Sequence, residues 1–328
     1  MGAARGMSVI ALAACLASCA SSSGGSAPIG GATSGADGGA AGSGASGGTA
    51  GGAGATGGGA GDGDTVTLTM GPFTVPASTE VFKCQSFANP FGGADQDIKQ
   101  YDVHMTGGSH HMFLFFDMAN ANGAMEDCPA GGFEFHPYPF SAQSHDATLT
   151  YPDDVGSLVP GNTGFRLNAH YINPGGTPVQ ATVTAVMHKA APGTVHQHAG
   201  IIFMNDVGLT VPPGTSTSHS TCSIPGNIHV LSAGSHMHQR ATGFSAQTTD
   251  GTVLYQTDAW ADPAPRTFAP PLTIPQKTSV DWGCTYMNET ADTLTFGEYA
   301  QTNVMCIFTM NYYPVADPKN PTIACQRL

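Results

Sequence analysis

Apolar and polar residues alternate in short runs along this chain. Val66-Thr67-Leu68-Thr69, Ala181-Thr182-Val183-Thr184-Ala185-Val186 and Thr293-Leu294-Thr295-Phe296 each place every second side chain on one face. That period of two predicts half-buried strands. The unbroken run Met112-Phe113-Leu114-Phe115-Phe116 reads as a buried strand, which would place the His110-His111 pair before it at a core edge. Turn signals separate the runs: Pro-Gly-Gly at 174–176, Pro-Pro-Gly at 212–214 and Pro-Gly-Asn at 225–227. No window carries a helical period of any length. The pattern predicts an all-β fold built from sandwiches or barrels. A break at Lys189-Ala190-Ala191-Pro192-Gly193, just before a new apolar run at Ala199-Gly200-Ile201-Ile202-Phe203, divides it into 65–192 and 193–328. Each part is about 130 residues, an ordinary domain size.

The first residues follow another logic. Arg5 precedes a short apolar stretch from Ser8 to Ala17 that ends in Leu16-Ala17-Ser18-Cys19. About 10 apolar residues fall short of the ~20 that a spanning helix needs, so residues 1–18 read as an export signal. The Leu-Ala-Ser-Cys sequence resembles the lipobox of bacterial lipoproteins, which implies cleavage before Cys19 and lipid on its sulfur. Residues 20–64 are almost all Gly, Ala, Ser and Thr. They lack the apolar surface to offset their ordering entropy. As a flexible coil they would span roughly 35–40 Å. The expectation is an exported protein, tethered to the cell envelope by lipid at Cys19, with no other membrane contact.

Composition narrows the partners. The chain holds 10 Lys and Arg against 23 Asp and Glu, and the basic residues are scattered. An acidic balance without a basic stripe excludes nucleic-acid binding. Beyond Cys15 and Cys19, the cysteines are Cys84, Cys128, Cys222, Cys284, Cys306 and Cys325. An even number without a Cys-x-x-Cys spacing, in an exported chain, points to disulfides. Six cysteines allow 15 pairings, and spacing does not choose among them.

The chemistry lies in Ser109-His110-His111-Met112, Asn168-Ala169-His170-Tyr171, Ser235-His236-Met237-His238 and Val304-Met305-Cys306. In a strand His236 and His238 share a face and can reach one metal without distorting the backbone. His110 and His111 are neighbours that point to opposite faces. Sharing a metal requires of them a bulge, a strand end or the use of different ring nitrogens. Imidazole suits several transition metals, but the Met305 thioether is soft and favours Cu(I). His104 and His229 are candidates to support ligands through hydrogen bonds. Asn168 lies two residues before His170 and within reach of the same site. His196-x-His198 reads as solvent-facing linker or, less simply, an accessory metal site. His136, His145, His188 and His219 read as structural or exposed.

In this order the motifs resemble those of the copper type II, ascorbate-dependent monooxygenases, the family of peptidylglycine α-hydroxylating monooxygenase and dopamine β-monooxygenase. His110-His111-Met112 with its aliphatic-aromatic strand looks like the first copper motif, and Ala169-His170-Tyr171 like the His-Tyr motif that completes that site. His236-x-His238 looks like the second copper motif, and Met305-Cys306 like the methionine strand. The resemblance covers nearly all of residues 65–328.

It implies two consecutive antiparallel β-sandwich (jelly-roll-like) domains with a copper site in each, hence two coppers per chain. His110, His111 and His170 would hold an electron-storing copper; His236, His238 and Met305 would hold the catalytic one. Ascorbate or a similar one-electron donor, with O2, would support hydroxylation of a C–H bond in a small organic substrate by a monomeric enzyme. It also implies the pairings Cys84–Cys128, Cys222–Cys325 and Cys284–Cys306. The family's peptide-carboxylate partners are replaced by Gly234, Ile307 and Thr309, which removes peptide amidation. Two alternatives stand beside this reading: a non-catalytic copper-binding or electron-transfer lipoprotein on the same scaffold, and a zinc hydrolase. The hydrolase ranks last because no recognisable motif supplies a general base.

Overall fold

The structure, a computed structural model, describes residues 64–129 and 136–327. The expected export signal at 1–18, Cys19 and the Gly/Ala-rich stretch lie outside the described residues, except for Asp64. Among the described residues every regular element is a strand, as the period-two patterning predicts. No helix there is long and apolar enough to cross a membrane.

The first half of the chain forms two sheets. One runs in the order Thr65–Val75, Val179–Lys189, Gln96–Met105, Val155–Val159 and Gln197–His198, with Asp146–Thr150 also on Gln96–Met105. The other runs Glu126–Asp127, Thr79–Phe87, Gly164–Asn173, Ser109–Asp117 and Phe140–Ala142. Alternation dictates how they meet. Leu68 and Met70 from the first sheet, and Met112, Leu114, Leu167 and Tyr171 from the second, close into one apolar core.

The second half repeats the plan. One sheet holds Arg266–Ile274, Ile228–Met237, Cys306–Tyr313, Gly200–Asp206 and Thr322–Arg327; its partner holds Gly214–Thr217, Ser279–Asn288, Ala241–Thr248 and Val253–Thr257, with Ser220–Ser223 on Ser279–Asn288. Met204, Val230 and Phe308 meet Phe244, Trp282 and Tyr286 in a second core. Pairing is antiparallel except where Gln197–His198 joins Val155–Val159 and Thr322–Arg327 joins Gly200–Asp206. Gln197–His198 lies past the expected break at 192/193 yet still belongs to the first half's sheets.

What joins the halves is a third apolar layer. Phe115 and Tyr138 pack with Ile201, Phe203, Met305 and Ile307. In Ser109–Asp117 the residues facing the first core are Met112, Leu114 and Phe116, so His111, Phe113 and Phe115 face the other way. In Cys306–Tyr313 the residues facing the second core are Cys306, Phe308, Met310 and Tyr312, so Ile307, Thr309 and Asn311 face the first half. The two inner sheets therefore lie outer face to outer face. This explains why all of Gly200–Asp206 is buried: one face packs on a core and the other on the opposing sheet. The described residues pack as one compact unit.

Three disulfides fasten the strands: Cys84–Cys128, Cys222–Cys325 and Cys284–Cys306. Their sequence separations of 44, 103 and 22 residues correspond to a loop-closure stabilisation on the order of 3–5 kcal/mol each.

Candidate metal centre

The five histidines singled out by sequence converge on the layer between the two inner sheets. A bulge explains the adjacent pair. Ser109 pairs with Tyr171 and His111 with His170, so His110 is the extra residue in its strand and both rings turn toward the same region. His170 enters from the neighbouring strand. His236 lies near the end of Ile228–Met237 and His238 just beyond it. The His110 ring centre lies 5.2 Å from His111, 5.0 Å from His170, 4.7 Å from His236 and 5.8 Å from His238.

The two expected groups of ligands are therefore not held apart in space. The rings form one cluster, because the sheets that carry them face each other directly. Nitrogens of His110, His111 and His236 lie within 4.8 Å of one another, a trio that takes members from both expected groups. Met305, the sixth expected ligand, is buried beside them. It lines a small cavity together with His111, His236, Phe82 and Glu298.

The hydrogen bonding sorts the ring nitrogens. His170 Nε2 lies 3.0 Å from Glu80 Oε2, His236 Nδ1 lies 3.0 Å from Gln143 Oε1, and His238 Nδ1 lies 3.2 Å from the Asn303 carbonyl oxygen. Each of these oxygens accepts, so the named nitrogen carries the proton and the other keeps its lone pair. That other nitrogen, Nδ1 of His170 and Nε2 of His236 and His238, is buried without a hydrogen-bond partner. His110 Nε2 and His111 Nδ1 are likewise buried and unpartnered. The adjacent pair thus offers different ring nitrogens.

Buried polar atoms without partners are costly, at about 1–3 kcal/mol each. Five of them in one cluster match the lone pairs that a transition metal takes from neutral imidazole. Burial, joined by repulsion between neighbouring rings, holds His110, His111 and His236 well below the usual histidine range. Burial is also the main cause that pushes His238 down to about 3. For His170, burial outweighs the opposing pull of Glu80, and the net shift is downward. All five rings are neutral at neutral pH, the form that ligates.

Glu80, Gln143 and Asn303 were not singled out by sequence. Glu80 left a trace: it shares a strand face with Phe82 and Cys84, both buried, and an acid on such a face needs partners. Besides His170 it accepts the backbone N–H groups of Ala300 at 3.0 Å and Gln301 at 3.1 Å. Burial alone would raise its pKa, but these hydrogen bonds outweigh it and hold the carboxyl below its ordinary value. Gln143 also donates from Nε2 to the Trp260 carbonyl at 2.7 Å, which fixes the amide between two partners.

The expected supporting histidines lie elsewhere. His104 is largely exposed and pairs with Asp146 at 2.6 Å, while His229 bonds Thr273 Oγ1 at 3.1 Å. His198 pairs with Asp97 at 2.9 Å, so His196-x-His198 is not gathered with other ligands into a second metal cluster among the described residues. Asn168 is fully buried, on the same strand face as His170.

No family model matches the chain, and no curated protein matches it. Among solved structures, the major capsid protein P2 of bacteriophage PM2 is similar at 11% identity, covering 76% of this chain and 97% of that one, with a TM-score of 0.30. A structure of infectious bursal disease virus, Gx strain, matches at 8% identity over 78% of this chain and 81% of that one, with a TM-score of 0.15.

Proposed function

We propose that this chain is a copper-dependent monooxygenase that hydroxylates a C–H bond of a small organic substrate, using O2 and ascorbate or a similar one-electron donor. The observation that carries the reading is the five-imidazole cluster, with one buried, unpartnered nitrogen on each ring and Met305 at its edge. Copper bound there would supply one-electron redox and dioxygen chemistry. The protein's part is orientation. Glu80, Gln143 and the Asn303 carbonyl fix three rings so that their free nitrogens face the cluster. His111 and His236 are the half-buried members, and both line a cavity of about 540 Å³, where a substrate would reach the site. The remaining rings are buried, with Phe82 stacked on His170 at 4.0 Å and Trp260 edge-on to His110 at 5.7 Å, which keeps water from them. The motif order and the three disulfide pairings that the family resemblance implies support the same reading.

A copper-storage or electron-transfer role on this scaffold needs the histidines but not the cavity, and the cavity favours the enzyme. The disulfides support an oxidising compartment, in keeping with export and a lipid tether at Cys19. Metal analysis after anaerobic Cu(I) loading should give about two coppers per chain. Ascorbate-dependent oxygen uptake, screened over small organic substrates, should then appear. Bound copper with no uptake on any substrate would leave the storage role, and failure to bind copper would remove both.

A further inference from the structure

The cavity that reaches His111 and His236 has a distinctive lining. Phe140, Leu149, Phe203 and Ile307 contribute apolar surface, and a row of prolines from Pro263 to Pro271 forms one side. No Lys, Arg, Asp or Glu lines it among the described residues. Several of its polar side chains are committed to the wall itself. Gln143 is held at both ends by His236 and the Trp260 carbonyl. Asn311 Nδ2 donates to Ser232 Oγ at 2.8 Å, and Thr309 Oγ1 donates to the Gly234 carbonyl at 3.4 Å. Above Gly234 the space is open: a Cβ built there meets only Thr309 Oγ1, at 3.8 Å.

We infer that this cavity takes an uncharged, predominantly apolar small molecule, held by contact area rather than by ion pairing. This deepens the monooxygenase reading, because it assigns the cavity to that enzyme's substrate. A volume of about 540 Å³ suits a drug-sized or smaller ligand. A carboxylate or ammonium group there would lose its hydration and find no counter-charge, so charge selects against binding. Neutral apolar surface loses nothing comparable and gains from leaving water. Gly234 keeps the cavity neutral and deep where a longer residue would fill it.

Binding can be read on copper-free protein by calorimetry at pH 7, with three probes of one shape: 4-phenylbutanol, 4-phenylbutanoate and 4-phenylbutylammonium. The alcohol should bind at least about 10-fold more tightly than either ion. Gly234→Arg places a guanidinium in the open space and should reverse the order, with the carboxylate binding best. Thr309→Arg on the adjacent strand is a second placement of the same charge, should the first variant not fold. The inference is overturned if a charged probe matches the alcohol on the wild type, if no probe binds, or if a folded arginine variant keeps the wild-type order. Because no copper or turnover enters the readout, a negative result leaves the copper proposal standing. Failure of copper loading equally leaves the cavity's preference measurable.

Discussion

Glu80 accepts a hydrogen bond from His170 Nε2 at 3.0 Å and, through the same carboxylate oxygen, from the backbone N–H of Ala300 at 3.0 Å. One buried side chain thus orients a ring of the cluster and anchors the segment that leads into Met305. Glu80→Gln keeps an acceptor but loses the charge, and copper affinity should fall about 10- to 100-fold by chelator competition. Glu80→Ala strands three donors, at about 1–3 kcal/mol each, so the melting temperature should drop clearly. An unchanged affinity in Glu80→Gln would show that the carboxylate does no more than hold the fold.

Met305→Ala should abolish oxygen uptake while the copper held by the all-imidazole ligands remains. Its apolar layer, with Phe115, Tyr138, Ile201, Phe203 and Ile307, holds no second thioether among the described residues. Copper content and oxygen consumption on the same preparation decide the matter. Retained uptake would remove Met305 from the site.

The disulfide Cys284–Cys306 ends one residue from Met305, and Tyr286 Oη donates to the Met305 carbonyl at 3.2 Å. Replacing both cysteines with alanine should cost about 3 kcal/mol by loop-closure entropy. It should also reduce uptake more than copper content, because the backbone at the thioether is then held less firmly. Urea unfolding and metal analysis separate the two effects.

Far from the cluster, Asp102 is held by Thr148, Gln100 and His188. Burial works to raise its pKa, but those hydrogen bonds outweigh it and the group titrates below 3.8. A depressed folded pKa means that the unfolded chain binds the proton more readily. The stabilisation is present above 3.8 and disappears as pH falls through the folded value. Asp102→Asn should therefore be less stable than wild type near pH 6, with the gap narrowing only as pH falls below about 3.8. A pH-independent gap in denaturant midpoints would mean that the charge is not the cause.

Much of the architecture was legible from local pattern. The alternation at 181–186 lies inside Val179–Lys189, and the run from Met112 to Phe116 is a strand with a core on one face and the interlayer on the other. The segment 293–296 gave only the short strand Leu294–Thr295, because its pairing with Thr210–Val211 extends no further. The candidate ligand residues were visible as types and spacings, and strand geometry alone limited the adjacent His110-His111 pair to a bulge, a strand end or different ring nitrogens. Hidden were the facts that depend on two sheets meeting: the fusion of five rings into one cluster, and the support from Glu80, Gln143 and the Asn303 carbonyl. Those partners lie 90, 93 and 65 residues from the histidines they hold, and no local period encodes such contacts.

The five rings come from both sheet pairs, three from the first and two from the second. A metal bridging rings of both origins binds the docked arrangement and not a parted one. Each tenfold rise in free ion above its dissociation constant then adds about 1.4 kcal/mol to docking by mass action. Resistance to proteolysis should follow copper occupancy as closely as activity does. With copper bound as proposed, the ion would be a latch as well as a reagent, and starving the protein of copper would loosen its frame.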